Sequence, residues 1–328
     1  MNSSDLSNGP SKTCLYVAAG RALGAREPDE SIRNPDFLAE RLLGPAERAM
    51  VADQAVVQAL ELDFTEAIKN IEALSSAIMM IIRTRFIEER LDHAIRDGVS
   101  QLVILGAGFD TRAYRLTELL KAVQVFEVDQ PSTQEYKKRR VREAGIAVPP
   151  NLTYVAVDFR HDKVGDVLTA AGYDSRRKTF FIWEGVTMYL PEAAVEETLR
   201  WVAAQAPGST IIFDFVGARL IQFMATADLS KFPEAAQKAF ERLRRLTSGE
   251  PWIFGLPDTN EREFLAQLGL DLRKLLPVGG EESMKRYLTR SDGTPYIEIP
   301  PQQQQAQSQR GGYCLAEAVV PNAKSSST

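Results

Sequence analysis

Along this chain the spacing of apolar positions changes character twice. From about Pro45 to Arg96 it is helical: Ala67, Ile71, Leu74, Ile78, Ile81 and Ile82 recur mostly at steps of three and four. The Ile- and Met-rich run Ile78-Met79-Met80-Ile81-Ile82 implies burial nearly all round. The period then gives way to short continuous apolar runs at 101–105, 123–128, 152–157, 180–183 and 210–215. Such runs read as strands buried on both faces of a parallel sheet. Helical stretches separate them, one running from Glu192 to Ala206 behind Pro191. Alternating strand and helix predicts an α/β core with right-handed crossovers. After residue 216 the alternation breaks. Residues 217–250 read as helical, with apolar Leu220, Phe223 and Met224 ahead of the charged stretch Glu241 to Arg245. That is long for a crossover and predicts a lid inserted over the C-terminal ends of the strands. Residues 270–278 and 313–320 supply two last strands, separated by the low-complexity stretch Pro300 to Gln305.

The expected organisation is therefore a disordered tail (1–12), a helical cap (13–97), a doubly wound, mostly parallel, seven-stranded α/β domain (98–320) carrying the lid at 217–250, and a second disordered tail (321–328). With 328 residues, 44% of them hydrophobic and 25% charged, the chain has an ordinary globular balance. The two cysteines, Cys14 and Cys314, fit no metal or redox spacing and read as reduced thiols. A net charge of −5 lacks the basic footprint of nucleic-acid binding. The dense basic run, Lys137 to Arg140, is expected to be a solvated helix face. The polar N-terminus lacks the apolar core of a signal peptide, and no run approaches a membrane span. These features predict a cytoplasmic protein with no nucleic-acid or membrane partner. A homodimer is expected only on general grounds.

Candidate chemistry collects at the strand ends. The first strand runs into Gly106-Ala107-Gly108-Phe109-Asp110-Thr111. Two glycines there let the backbone turn sharply and approach a ligand closely. The second strand ends in Glu127-Val128-Asp129, with Asp129 about 20 residues past the glycines, where an acid can accept hydrogen bonds from ribose hydroxyls. The pair favours an adenosine-containing ligand. A dinucleotide site wants a third glycine where this chain has Thr111, and a helix N-terminus facing the pyrophosphate. Its absence, with Asp110 and Asp129 nearby, fits a ligand without phosphates, such as S-adenosylmethionine. Asp158 with Phe159 at the third strand end can meet an adenine, or be a turn Asp beside a core Phe. Glu184, in the apolar context Ile182-Trp183-Glu184-Gly185, demands a positive partner: the ammonium of a cofactor, or a structural arginine.

As a set and in this order, Gly106 to Arg112, Glu127-Val128-Asp129, Asp158 and Glu184 to Leu190 resemble the leucine carboxyl methyltransferase family, over about Arg83 to Leu275. The resemblance implies an S-adenosylmethionine-dependent methyltransferase with a Rossmann-like class I fold whose last strand is antiparallel. It further implies cofactor roles for Arg83 (Arg85 if the register is two residues off), the Gly106-Ala107-Gly108 loop with Asp110, Asp129, Asp158, Phe159 and Glu184. Tyr189 would line the substrate pocket, and Arg21 would be the N-terminal cofactor residue.

Methyl transfer needs alignment and exclusion of water more than acid–base chemistry. A carboxylate acceptor is already ionised at neutral pH, whereas a hydroxyl usually wants a base. Of the two histidines, His93 reads as a helix-surface residue and His161 as a loop residue near the ligand edge, hence a pocket candidate. No metal-ligand cluster is apparent. Apolar Phe223, Met224, Phe240, Trp252 and Phe254 suggest an apolar small acceptor. The leading expectation is O-methylation of a polyketide-like carboxylate or hydroxyl, in keeping with secondary metabolism. The alternatives are methylation of a protein C-terminal carboxylate, an inactive cofactor-binding protein, and a nicotinamide-dependent oxidoreductase.

Overall fold

The computed structural model describes residues 11–322 except 159–160, 229, 231, 233, 235–236, 238–240, 242–243, 245–249, 258–259 and 298–311. The expectations for Phe159, Phe240, Pro300 to Gln305 and most of both tails and of the lid beyond residue 228 lie outside the described residues.

The five continuous apolar runs are strands: β1 (Gln101–Leu105), β2 (Gln124–Asp129), β3 (Leu152–Ala156), β4 (Thr179–Trp183) and β5 (Thr210–Val216). Two more follow, β6 (Asp271–Pro277) and β7 (Tyr313–Val319). They form one sheet in the order β3-β2-β1-β4-β5-β7-β6. Strands β1 to β5 pair in parallel, and β7 runs antiparallel to both β5 and β6. The expected doubly wound, mostly parallel sheet with an antiparallel last strand is thus present. Strand order reverses between β1 and β4, so a crevice opens there at the carboxyl ends, where open α/β sheets bind ligands. Successive β1 side chains enter separate cores: Leu102 and Ile104 join the cap side, Val103 and Leu105 the opposite side. That two-sided burial is why these runs lack alternation.

The helices are α1 (Lys12–Ala25), α2 (Ala39–Leu42), α3 (Pro45–Met50), α4 (Ala55–Ala59), α5 (Phe64–Ala67), α6 (Ile71–Arg96), α7 (Arg112–Arg115), α8 (Pro131–Glu143), α9 (Val164–Ala170), α10 (Glu192–Ala203), α11 (Ala218–Thr226), α12 (Glu261–Gln267) and α13 (Glu281–Tyr287). The stretch from Pro45 to Arg96 is four helices, α3 to α6, because local caps interrupt it. Asp63 caps α5, and the Asn70 side chain accepts from the backbone N–H groups of Glu72 and Ala73 to start α6. Helix α1 lies directly against α6 at Gly20, where an added Cβ would sit 2.7 Å from Ser76 Oγ. The helix expected to reach Ala206 ends at Ala203.

Only part of the basic run on α8 is a solvated face: Arg139 is exposed, but Lys137 and Arg140 are not. Lys137 is buried and its Nζ lies 2.7 Å from Glu127 Oε2, while Arg140 donates to the Leu42 carbonyl and pairs with Glu47. The buried Glu127 carboxylate inside β2 requires a cation, and α8 supplies it. No helix among the described residues is long and apolar enough to cross a membrane.

Candidate functional site

At the sheet's switch point lies a cavity of about 540 Å³, walled by the glycine loop, the ends of β2 and β4, the start of α1, and Glu250, Pro251 and Ile253. The loop after β1 is shaped by Gly106 and Gly108, at φ +67° and +42°. A Cβ on Gly106 would lie 2.5 Å from Val186 Cγ2, so glycine is what lets Val186 pack against this loop. Asp129 ties this loop to the end of β2. Its Oδ2 accepts the Gly108 N–H at 2.5 Å and its Oδ1 accepts the Gln130 N–H at 2.7 Å. Burial pushes the Asp129 pKa up, against these two N–H groups.

The start of α7 is closed to a phosphate. Asp110 Oδ1 accepts the Arg112 N–H at 2.7 Å, and Oδ2 pairs with Arg112 Nη1. An acid therefore already occupies the helix N-terminus that a pyrophosphate would need. Burial raises the Asp110 pKa and Arg112 more than offsets this, leaving it below the usual range. Thr111, in place of the third glycine, donates its hydroxyl to buried Asp36, whose Oδ2 lies 3.0 Å from Arg21 Nε.

Glu184 meets two arginines, one of the two kinds of partner its apolar context allowed. Its Oε1 accepts from Arg83 Nε at 2.6 Å and its Oε2 from Arg112 Nη1 at 2.7 Å, with its side chain only 7% exposed. Burial acts to raise the Glu184 pKa, but Arg112 and Arg83 hold it well below the ordinary value. Arg83 reaches the site from α6 and lines the cavity. Its Nη1 donates to Asp214 Oδ2 (3.3 Å) and the Tyr313 hydroxyl (2.7 Å). Arg21 also lines the cavity, donating from Nη2 to the Phe109 carbonyl at 2.6 Å. Among the described residues, Arg83 Nη2 and Arg21 Nη1 have no protein partner.

The structure thus gathers Arg21, Arg83, Gly106, Ala107, Gly108, Asp110, Asp129, Glu184 and Tyr189 around one cavity. Arg85 lies elsewhere: its Nη1 donates to the carbonyls of Glu30 and Arg33. Asp158 and His161 do not line the cavity. Asp162 Oδ2 accepts the Asp158 N–H at 2.8 Å, and the Asp158 carbonyl accepts the His161 N–H at 2.9 Å. His161 and His93 are exposed. Of the apolar acceptor residues expected, Phe223, Met224, Trp252 and Phe254 are absent from the wall. Phe254 is buried in the core, and Ile253 lines the cavity instead. Within the wall, Ser11 Oγ donates to Glu250 Oε2 at 2.7 Å.

Arg112, Asp36, Asp214, Tyr313 and Glu250 were not anticipated. Asp214 carried the same signal as Glu184, an acid inside a continuous apolar strand. Tyr313, Asp36 and Glu250 had no local signal.

Comparison with known proteins adds a family. The family model described as leucine carboxyl methyltransferase matches residues 14–203. Two similar proteins are described as putative S-adenosyl-L-methionine-dependent methyltransferases. The one from Streptomyces coelicolor is 33% identical over 210 residues, covering 63% of this chain and 69% of that protein. The one from Mycolicibacterium smegmatis is 35% identical over 218 residues, covering 66% and 70%. Among solved structures, a putative methyltransferase from Thermobifida fusca is 17% identical with a TM-score of 0.49, covering 97% of each chain.

Proposed function

The chain belongs to the leucine carboxyl methyltransferase family, and from that premise we propose that it transfers a methyl group to a hydroxyl of a small, largely apolar metabolite. It is a methyltransferase, and its methyl donor is S-adenosylmethionine. The donor carries an electrophilic methyl on a cationic sulfonium.

The cavity residues fit that donor. The free Nη2 of Arg83 and Nη1 of Arg21 would hold its carboxylate. Asp129, whose oxygens already accept two backbone N–H groups, keeps lone pairs for ribose hydroxyls. The Gly106-Ala107-Gly108 loop lines the cavity where the amino-acid portion would pass, and the acid-capped start of α7 leaves no room for a pyrophosphate. Glu184, lining the cavity beside both arginines, would offset their charge. The adenine contact expected of Asp158 and Phe159 is not carried forward, since Asp158 is off the cavity wall.

The observation that carries the acceptor reading is the charge on the acceptor side of the cavity. The cations of the wall among the described residues, Arg21 and Arg83, are both assigned to the donor, which leaves Ser11, Thr13, Cys14, Tyr189, Pro251, Ile253 and one acid, Glu250, to face the acceptor. A carboxylate would meet Glu250 with no cation left over among those described residues; a hydroxyl could donate to it. Burial pushes the Tyr189 pKa up, so its phenol stays protonated and serves as a hydrogen-bond donor rather than a base. Burial, with Asp129 and Glu250 adding to it, likewise keeps the Cys14 thiol protonated. The chain's remaining task is to align the acceptor and exclude water, which can contribute roughly 7–11 kcal/mol. The Ser11–Glu250 hydrogen bond, which joins the start of α1 to the 250–253 stretch over the cavity wall, favours a small molecule over a polypeptide end.

Calorimetry with S-adenosylmethionine, S-adenosylhomocysteine and NAD tests the donor: the first two bind and NAD does not. A matched acceptor pair, 2-naphthol and 2-naphthoate, tests the group methylated. Methyl ether without methyl ester is the expected product, and ester formation would sink the hydroxyl reading.

A further inference from the structure

We propose that Tyr313 and Asp214 are positioning residues that aim the free edge of Arg83 at the amino-acid end of S-adenosylmethionine; this rests on the donor reading above.

Because β7 runs antiparallel to β5, its first residue, Tyr313, lies beside Val216, at the carboxyl end of β5 and next to the ligand crevice. There the Tyr313 hydroxyl has two partners. It donates to Asp214 Oδ2 and accepts from Arg83 Nη1 at 2.7 Å. Asp214 is itself fixed, its Oδ1 accepting the Gly185 N–H at 2.7 Å and its carbonyl accepting the Thr187 hydroxyl at 2.6 Å. Its Oδ2 stands 3.3 Å from Arg83 Nη1.

A guanidinium has five N–H bonds in a fixed plane. In Arg83 the Nε hydrogen goes to Glu184, and the two on Nη1 go to Asp214 and Tyr313. Only the Nη2 pair remains. Two directions fixed on a rigid plane fix the third, so the last strand of the sheet determines where Nη2 points. Neither Asp214 nor Tyr313 lines the cavity, so both act through Arg83 and not on the ligand. Burial raises the Tyr313 pKa well above its usual value, so the hydroxyl keeps the proton it gives Asp214.

The test compares two ligands on the full chain by calorimetry. S-adenosylhomocysteine carries the amino-acid end; 5′-methylthioadenosine lacks it. Tyr313→Phe should weaken the first roughly tenfold, the loss of about one charge-assisted hydrogen bond in alignment, and leave the second unchanged. In turnover, KM for the donor should rise while kcat changes little. Equal weakening of both ligands, or an unchanged affinity for S-adenosylhomocysteine, overturns the proposal. Should Tyr313→Phe fail to fold, Asp214→Asn takes the same comparison, and failure of both to fold makes the pair structural and ends the proposal. If the unaltered protein binds neither ligand, it is the donor reading that has failed.

Discussion

Two carboxylates end neighbouring parts of the same sheet and face the same cavity, yet they are built for opposite tasks. Asp129, at the end of β2, accepts hydrogen bonds among the described residues only from backbone N–H groups, and burial lifts its pKa against them and the charge of Lys137. Glu184, just beyond β4, is clamped between Arg83 and Arg112, which overcome its burial and hold its pKa down. Neutral dipoles leave the Asp129 charge available to a ligand. The arginines consume the Glu184 charge in making the site itself. A buried acid surrounded by N–H groups is therefore the better ligand-binding candidate, and one surrounded by guanidinium groups the better structural one.

The hardest way to break this contrast is Glu184→Ala. It leaves Arg83 and Arg112 buried without their shared partner, and removing one member of a buried pair costs about 3–5 kcal/mol. Denaturant unfolding should show that loss; a change under about 1 kcal/mol would mean Asp110, Asp214 and Glu88 already suffice. Asp129→Ala should do the reverse. It should weaken S-adenosylmethionine binding by roughly 1.5–3 kcal/mol through lost charge-assisted hydrogen bonds, with little change in unfolding. Unchanged affinity in calorimetry would remove the ribose assignment. Arg83→Ala should lower donor affinity more than Arg85→Ala, because only Arg83 lines the cavity; the opposite order would refute the placement.

The subtlest test is pH. Glu184 has a folded-state pKa below the ordinary 4.5, so its contribution is present above that value and is lost as pH falls below it. Asp129 runs the other way: its folded pKa is raised above 3.8, so ionising it opposes folding as pH rises past that value. Acid unfolding should therefore be less steep in Glu184→Gln than in the unaltered protein, and steeper in Asp129→Asn. Identical slopes for the two variants would erase the distinction drawn between the two strand ends.

Much of this site was legible along the chain because it rests on local rules. A continuous apolar run marked each strand, and two glycines after β1 marked the turn. The Asp129 acid followed at the spacing set by one helical crossover. An acid in an apolar strand signalled a buried partner at Glu184, and the same signal stood unread at Asp214. What could not be read was the partner. Arg83 and Arg112 lie 101 and 72 residues from Glu184 in sequence, and Tyr313 lies 230 from Arg83. Lys137 looked like part of a solvated stripe because nothing local revealed that α8 packs over Glu127. That Asp158 and His161 lie off the cavity wall was equally unreadable, since no local pattern marks Asp162, which accepts the Asp158 N–H.

The sequence by itself determined the strands, the glycine turn and the class of ligand, since periodicity and backbone freedom depend on neighbours a few residues apart. Only the tertiary structure decided which buried charges neutralise one another and which stay open to a ligand. Those pairings depend on distances between elements far apart in the chain, and in a low-dielectric interior a few ångströms separate a structural ion pair from a binding group.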